Sequence, residues 1–331
     1  MSVLLLVAGV LVVFVALFDA AWTTVATASG AGPISRRLAP WLWGRALALH
    51  HRRPSHGGLA AAGVGIIVAV FLTWIGLVLS GWALVFASSD GAVRAASTGR
   101  SADLVERLYF TGYTVFTLGN GEYRPGLGWW QILTVVATAT GLVLVTLAIT
   151  FLVPLAGAAA GRRQLASTVA SLGEGPHAIV ANAWTGRGFG TLSQHLVALT
   201  SLVHATRQEH LTYPMLHFFH SETPGSAAAV GITHLGQALQ LLDHGVAADV
   251  RLDPAATGPL GRAIDGFLET LEGVHISADA SPLVAPDLEP LRAAGIPTVD
   301  DATYAQAAPA SEPQRRLLAA LLGEDGWPQS A

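Results

Sequence analysis

Six consecutive residues carry the most specific chemistry in this chain. They read Thr-Leu-Gly-Asn-Gly-Glu and occupy positions 117–122, between two long apolar runs. Gly119 and Gly121 allow the backbone to adopt conformations that turn successive carbonyl oxygens to one side. Rings of such oxygens, contributed by several copies of a chain around one axis, can replace the hydration shell of an ion. The chemistry that these residues offer is coordination of a cation by backbone oxygens.

The composition indicates a membrane protein. Hydrophobic residues make up 52% of the chain and charged residues only 12%, whereas a soluble domain carries roughly 25% charged residues. The apolar residues concentrate in the first half, so the chain divides into a membrane part and a soluble part. The chain has no cysteine, which excludes disulfides and thiolate chemistry. A net charge of -4 is mild and indicates no nucleic-acid partner.

Three apolar runs are long enough to cross a bilayer, which takes about 20 apolar residues. They predict an N-terminal transmembrane helix within 1–28, a second helix at 58–88 and a third at 129–160. Asp19 weakens the first run, and a cleaved signal peptide is the competing interpretation, with Ala26-Thr27-Ala28 as its cleavage site. No basic residue precedes the apolar core, which favours a retained helix.

The arginines predict the orientation of the chain in the cell membrane. Five of them lie in the connector between the first two runs, and Arg162 and Arg163 follow the third run. By the positive-inside rule, the 29–57 linker and the 162–331 domain are cytoplasmic, and the N-terminus and the 117–122 segment face outward. Within the linker, residues 40–47 are either an interfacial stretch at headgroup depth or a plain juxtamembrane connector.

A short helix is expected just before the glycine-containing segment. Asp103 and Glu106 have the spacing of a capping box, which predicts a helix over 104–116. This helix is apolar and aromatic on most faces, as a helix wedged between membrane spans must be. Its carboxyl end carries partial negative charge and favours a cation near it. An amphipathic surface helix followed by a glycine turn is the alternative.

Phe116-Thr117-Leu118-Gly119-Asn120-Gly121-Glu122 is similar to the potassium-channel signature Thr-Thr-Val-Gly-Tyr-Gly-Asp. The resemblance covers roughly 58–161 and implies a two-helix pore domain that assembles as a homotetramer in membrane lipid. It implies a selectivity filter that binds permeant potassium or other monovalent cations and needs no other cofactor. The residues that the resemblance assigns to this filter are Thr117, Leu118, Gly119, Asn120 and Gly121, with Glu122 supporting it from behind.

Two departures from the signature bear on ion selectivity. Asn120 stands where potassium-selective filters have an aromatic residue that braces the filter. Asparagine can hydrogen-bond locally, or it can leave the outer filter wider and the pore non-selective between sodium and potassium. Tyr113 lies where many relatives have an acidic partner for the residue at Glu122. A contact from the Tyr113 hydroxyl to the Glu122 carboxylate is the expected substitute.

Two residues of the third run are candidates for a gate. Gly141 lies 22 positions after Gly119 (141 − 119), where similar potassium channels have a hinge glycine, and glycine lowers the cost of bending a helix. Close packing against a neighbouring helix explains the same glycine equally well. Pro154 removes a backbone hydrogen bond and can kink the inner end of the helix.

The soluble half has helical periodicity and few strand signals. Apolar stripes predict helices over 194–206, 227–246 and 260–271, and Gly295 and Gly323 follow two shorter ones. Strand candidates are limited to 178–180 and 248–252. A Rossmann-type regulatory domain has only a faint echo in Gly186, Gly188 and Gly190, whose spacing departs from the dinucleotide fingerprint.

Histidines and the lack of catalytic motifs complete the prediction. His217 and His220 are weak candidates for a metal or pH-sensing site, and ordinary packed histidines are the alternative. No motif of an enzyme is present. We therefore predict an all-α membrane protein: a tetrameric pore-loop channel core with a mostly helical cytoplasmic regulatory domain. The alternatives are a non-selective cation channel, a non-conducting scaffold that keeps a degenerate pore fold, and a transporter subunit.

Overall fold

The computed structural model describes residues 1–25, 30–272 and 275–330, which are mainly helical. In chain order the elements are α1 (Val3–Val25), α2 (Ser35–Arg52), α3 (His56–Ala87), β1 (Val93–Ala95), α4 (Leu104–Val115), β2 (Tyr123–Pro125), α5 (Trp129–Leu172), α6 (Pro176–Ala183), α7 (Leu192–Thr212), α8 (Ala228–Gln240), α9 (Pro254–Leu271), α10 (Glu289–Ala293), α11 (Asp301–Ala307) and α12 (Glu312–Glu324). They form two compact units, Met1–Leu42 with Gly65–Pro154, and Trp43–Val64 with Leu155–Ala331. The predicted all-α fold is confirmed.

Helices α1, α3 and α5 are long and apolar enough to cross a membrane. Helix α1 is regular through Val25. The alternative cleavage site at positions 26–28 lies outside the described residues. Helix α3 begins two residues before the predicted start, at His56, and ends at Ala87, one residue before the predicted end.

Glycines bring α1 and α3 into close contact. A Cβ at Gly9 would lie 2.5 Å from the Gly81 carbonyl oxygen, and a Cβ at Gly81 would lie 2.8 Å from the Gly9 oxygen. No side chain fits between the two backbones at this crossing, which is the packing that small residues permit in membranes. Helix α1 is therefore packed against α3 and is not a detached anchor.

Asp19 connects the carboxy-terminal part of α1 to α3 and to the start of α2. Its fully buried carboxylate accepts hydrogen bonds from the backbone nitrogen of Ile34 at 2.6 Å and from the Trp74 indole at 2.8 Å. The Ser35 hydroxyl also donates to it, at 2.6 Å. Because the carboxylate caps the start of α2 while binding α3, the acidic residue that weakened the first apolar run has a structural purpose. A buried charge is tolerated only with such partners.

Helix α5 is longer than the sequence predicted, since it runs without interruption to Leu172. The expected end near residue 160 is wrong because the residues beyond it keep a buried apolar stripe. Leu165 and Val169 are almost wholly buried. They pack with residues of α7, α8 and α9 in the core of the carboxy-terminal unit, which is the unit formed by Trp43–Val64 with Leu155–Ala331. Pro154 lies inside the helix and does not end it.

The carboxy-terminal unit is a helical assembly around one core. The predicted helices at 194–206, 227–246 and 260–271 appear as α7, as α8 with a following π-helical turn, and as α9. Both strand predictions are wrong. Residues 178–180 lie within α6, which Pro176 starts at its first turn. Residues 248–250 form a turn, and residues 251–252 have no regular structure. Apolar triplets of this length do not distinguish a strand from a helix.

Candidate pore loop

The helix before the 117–122 segment is fixed at its start by the predicted capping box. The Asp103 carboxylate accepts from the Glu106 backbone nitrogen at 2.9 Å, and Glu106 accepts from the Asp103 backbone nitrogen at 2.8 Å. The helix continues to Val115, with Phe116 as its C-cap. The carboxyl end of α4 therefore stops one residue before Thr117, so that its partial negative charge lies at the start of the segment.

The backbone of the segment alternates in a way that bears directly on its chemistry. Thr117, Gly119 and Gly121 have φ angles of 59°, 62° and 78°, whereas the residues between them do not have positive φ. Such alternation of left-handed and ordinary conformations turns successive peptide groups so that like atoms point to the same side. It is the arrangement that a row of carbonyl ligands needs.

Thr117 has an unfavourable backbone conformation. Within the described part of the chain it is the one non-glycine residue with positive φ. A β-branched residue in this region is an outlier, and such strain costs about 1–3 kcal/mol. Two backbone hydrogen bonds hold the turn, from Thr117 to the Thr114 oxygen at 3.2 Å and from Leu118 to the Tyr113 oxygen at 2.8 Å. Strain of this kind concentrates at functional sites.

Behind the segment, Tyr113 has a different partner from the one expected. Its hydroxyl donates to the backbone oxygen of Tyr123 and not to Glu122. A hydroxyl has one proton to donate, so the expected bond to the Glu122 carboxylate is replaced. The reason is geometric: β2 brings the Tyr123 backbone against α4, whereas the Glu122 side chain is exposed.

Asn120 makes the local hydrogen bond that its side chain permits. Its amide nitrogen donates to the hydroxyl of Tyr109 on α4. The Tyr109 ring packs edge-on against Tyr113 and Tyr123, with centroids 5.3 and 6.1 Å away. Three tyrosines and one amide thus occupy the place where the signature has an aromatic brace. Tyr109 and Tyr123 are functional candidates that the sequence reasoning missed, and the aromatic spacing around the motif was the signal for them.

Glu106 connects Tyr123 to the loop that precedes α4, through Arg100. Its carboxylate binds Arg100 through two nitrogens and accepts from the Tyr123 hydroxyl at 2.8 Å. The Arg100 guanidinium, the Asp103 amide and the Tyr123 hydroxyl together lower the pKa of Glu106 to about 2. The carboxylate is therefore charged at every physiological pH. Strand β2 in turn pairs antiparallel with β1, which ties the exit of the segment to the loop after α3.

Buried Arg107 anchors the same loop. It donates to the Ala102 oxygen at 2.9 Å and to the carboxylate of Asp90 at 2.7 Å. Gly126, just after β2, comes so close to Gly91 that a Cβ there would be 2.0 Å from the Gly91 oxygen. The entry to α4 and the exit from the segment are thus both fastened to the end of α3.

Gly141 lies against the carboxyl end of α4. A Cβ at this position would lie 1.9 Å from the Val115 carbonyl oxygen, at the end of α4. This geometry supports the close-packing interpretation of Gly141. Next to it, the Thr140 hydroxyl accepts from the Trp82 indole at 2.9 Å, so Thr140 faces α3. Thr146 and Thr150 lie one turn apart on an exposed face of α5.

Neither histidine candidate lies on a regular α-helix. His217 lies in a 3₁₀ turn at Pro214–Phe218 and His220 lies beyond it, so the two do not share a helix face as expected. Within residues 1–25, 30–272 and 275–330, no group of three metal-ligating side chains has the arrangement to hold an ion. The His56 and His220 rings, however, approach to 3.0 Å between Nδ1 and Nε2.

Comparison with known proteins agrees with the geometry. A family model described as "Ion channel" matches residues 72–156, which include the second half of α3, all of α4, the 117–122 segment and α5 up to Ala156. A membrane protein of Bacillus subtilis (strain 168), YdjJ, described as uncharacterized, is 31% identical over 327 residues. The alignment covers 98% of this chain and 95% of the relative. No solved structure matches the chain significantly.

Proposed function

Because this chain belongs to the potassium-channel-like pore-loop family, we propose that it is the subunit of a homotetrameric potassium channel with residues 117–121 as its selectivity filter. The observation that carries this proposal is the alternation of positive φ at Thr117, Gly119 and Gly121. An ordinary glycine turn has no need of a strained threonine two residues before its first glycine.

In the proposed mechanism, ions shed water onto backbone oxygens and move in single file. The carbonyls of Thr117, Leu118, Gly119 and Asn120 supply the oxygen rings when four chains surround one axis. The segment is exposed in a single chain, with Leu118 at 67% of its full accessibility. The carboxyl end of α4 adds an electrostatic preference for cations.

Potassium selectivity requires that the outer filter keep its width without the usual aromatic residue. The bond from Asn120 to the Tyr109 hydroxyl, and the Tyr113 bond to Tyr123, supply a brace through hydrogen bonds. Glu106 extends this brace to Arg100 through a charged pair. We place Glu122 at the outer mouth as an electrostatic support, since its side chain is exposed there.

The proposed orientation puts the N-terminus outside and the carboxy-terminal unit in the cytoplasm, as the arginines indicate. Helix α5 then lines the inner cavity, and gating occurs along it near Gly141 and Pro154. The tight contact of Gly141 with α4 makes the Pro154 region the better candidate for bending, because a proline lacks the backbone N–H of a regular helix. The carboxy-terminal unit serves as a regulator of the pore.

Planar-bilayer recording of the purified protein tests the proposal. We expect a reversal potential that follows the potassium gradient and little sodium current under mixed-ion conditions. Gly119→Ala should abolish the current, since alanine at a φ of 62° is strained. Gly295→Ala is the matched control, because Gly295 also has a positive φ, 74°, and lies in the carboxy-terminal unit, beyond residues 72–156.

Three outcomes distinguish the alternatives. A clear current that reverses near zero in mixed potassium and sodium would replace the potassium channel by a non-selective cation channel. Robust current from Gly119→Ala would refute the filter assignment. The lack of current from a correctly assembled tetramer, in either ion and at any pH from 5 to 8, would favour a non-conducting scaffold with a degenerate pore fold.

A further inference from the structure

Buried polar atoms without partners concentrate at one place in the carboxy-terminal unit. Within the described part of the chain, both ring nitrogens of His210, Nε2 of His217, Nδ1 of His220 and one carboxylate oxygen of Glu209 are buried with no hydrogen-bond partner. Native interiors contain few such atoms, and each one costs stability. Five of them belong to four side chains on α7 and the segment that follows it.

The histidine cluster, defined as His56, His210, His217, His220 and His275, packs ring against ring. His217 and His275 stack in parallel with centroids 3.8 Å apart, and His210 meets both edge-on at 6.0 and 6.3 Å. His56 stacks on His220 at 5.2 Å. Imidazoles at these separations repel one another once more than one of them carries a proton.

The C-terminal segment, residues 324–327, closes over this cluster. The Trp327 ring stacks on His56 with centroids 4.0 Å apart, and its indole nitrogen is buried with no partner in the described residues. The Glu324 backbone oxygen accepts from the Trp43 indole at 3.2 Å. The segment thereby joins α2, the start of α3 and the region after α7 within one compact unit.

Three other charged or titratable residues surround the histidine cluster. Arg162 of α5 is buried and donates to the Leu216 oxygen at 2.6 Å, and its charge acts on His210 and His275. Glu209 of α7 packs its carboxylate against Gly161, 3.1 Å from a Cβ there. His50 lies beside His56 with ring centroids 4.9 Å apart.

Two carboxylates complete the surroundings of the cluster. Glu324 and Asp325 stand 3.7 and 3.8 Å from His217 Nε2 and His220 Nδ1, too far for hydrogen bonds. They are adjacent in the chain, at the end of α12. Because each carboxylate would attract its histidine once that ring is protonated, these two pairs oppose release. Release therefore depends on His210 and His275, which have no carboxylate within 4.0 Å in the described part of the chain.

We propose that the histidine cluster is a proton-operated latch that holds the C-terminal segment and Arg162 together at neutral pH and releases them on acidification. The latch rests on the proposed function only for its effect on current. Because Arg162 belongs to α5, the helix assigned to the inner pore, release alters the probability that the channel is open.

The sign of the effect follows from burial and charge. Burial, with Arg162 and the neighbouring histidines, lowers the pKa of His210 well below its usual value and that of His275 to about 3. Both rings are therefore neutral in the closed latch and bind protons more readily when exposed. For His275 alone, with an exposed pKa of about 6.5, lowering the pH to 5 favours the open latch about 30-fold. Above pH 7 protonation of His275 no longer favours the open latch.

A spin label placed just beyond the C-terminal segment tests release of that segment without relying on current. The chain has no cysteine, so Gln329→Cys gives a single labelling site two residues beyond Trp327. In the full-length protein we expect the mobile fraction of the label to rise as the pH falls from 7.5 to 5. His210→Phe and His275→Phe keep a flat ring that cannot be protonated, and each should shift the transition to lower pH.

The control is His204→Phe, because His204 lies on α7 and is exposed. It should leave the transition unchanged. A label whose mobility is independent of pH in the wild-type chain would overturn the latch. So would a transition that His210→Phe and His275→Phe both leave in place, in tetramers that melt normally at pH 7.5.

Current recordings separate this proposal from the channel assignment. With the latch and the pore both correct, cytoplasmic acidification changes the open probability, and His275→Phe shifts that response to lower pH. A mobile label at pH 5 in a protein that never conducts would retain the latch and reject the pore. A conducting protein with an immobile label throughout would do the reverse.

Discussion

Replacing Gly141 by alanine should disturb the proposed filter, residues 117–121, through the end of α4. The added Cβ would lie 1.9 Å from the Val115 oxygen, whereas ordinary contacts of a Cβ begin at 3.4 Å. The two backbones must therefore separate by up to 1.5 Å (3.4 − 1.9). Overpacking of this kind costs about 1–3 kcal/mol, and here the movable partner is the last turn of α4. Thr117, whose amide bonds back to that turn, would move with it.

The assay compares two alanine variants of the same helix. Gly157→Ala is the control, because no atom lies within 4 Å of a Cβ there, and alanine favours a helix by up to about 1 kcal/mol over glycine. We expect Gly141→Ala to lower the thermal stability of the tetramer and its potassium-to-sodium permeability ratio. Gly157→Ala should preserve both. Wild-type stability and selectivity in Gly141→Ala would refute the close contact of α5 with α4.

Two further predictions concern the support behind the filter. Tyr109→Phe removes the acceptor for the Asn120 amide but keeps the ring, so we expect sodium permeability to rise several-fold in reversal-potential measurements; an unchanged ratio would contradict the brace. The lowered pKa of Glu106 means that this carboxylate stabilises the loop above pH 4.5 and loses that effect as the pH falls toward about 2. Thermal melts from pH 5 to 2.5 should therefore fall less steeply for Glu106→Gln than for the wild-type chain, and parallel curves would contradict this linkage.

The sequence predicted the membrane architecture because its determinants are local. Apolar length identifies α1, α3 and α5, and the spacing of Asp103 and Glu106 locates the start of α4. The 117–122 motif needs its two glycines at fixed positions. These features depend on a few adjacent residues and therefore survive without any knowledge of the fold.

The errors arose where the outcome depends on distant contacts. We predicted that α5 ends near residue 160, but it ends at Leu172. The sequence could not show this because the helices that bury Leu165 and Val169 lie far along the chain. The Tyr113 partner was wrong because the register of β2 decides which carbonyl reaches its hydroxyl. A three-residue apolar segment such as 178–180 takes the conformation that its neighbours impose.

Asn120 departs from the family signature, but its hydrogen bond to Tyr109 can still keep the proposed filter at a fixed width. A large aromatic residue at position 120 would fill space behind the filter by packing alone. Asn120 is smaller and relies on a directional bond to Tyr109, which is itself held among Tyr113 and Tyr123. A brace made of hydrogen bonds fixes distance as well as volume, but each bond is lost outright when one partner is removed. The proposed filter should therefore respond more sharply to loss of a single hydroxyl than a filter braced by packing.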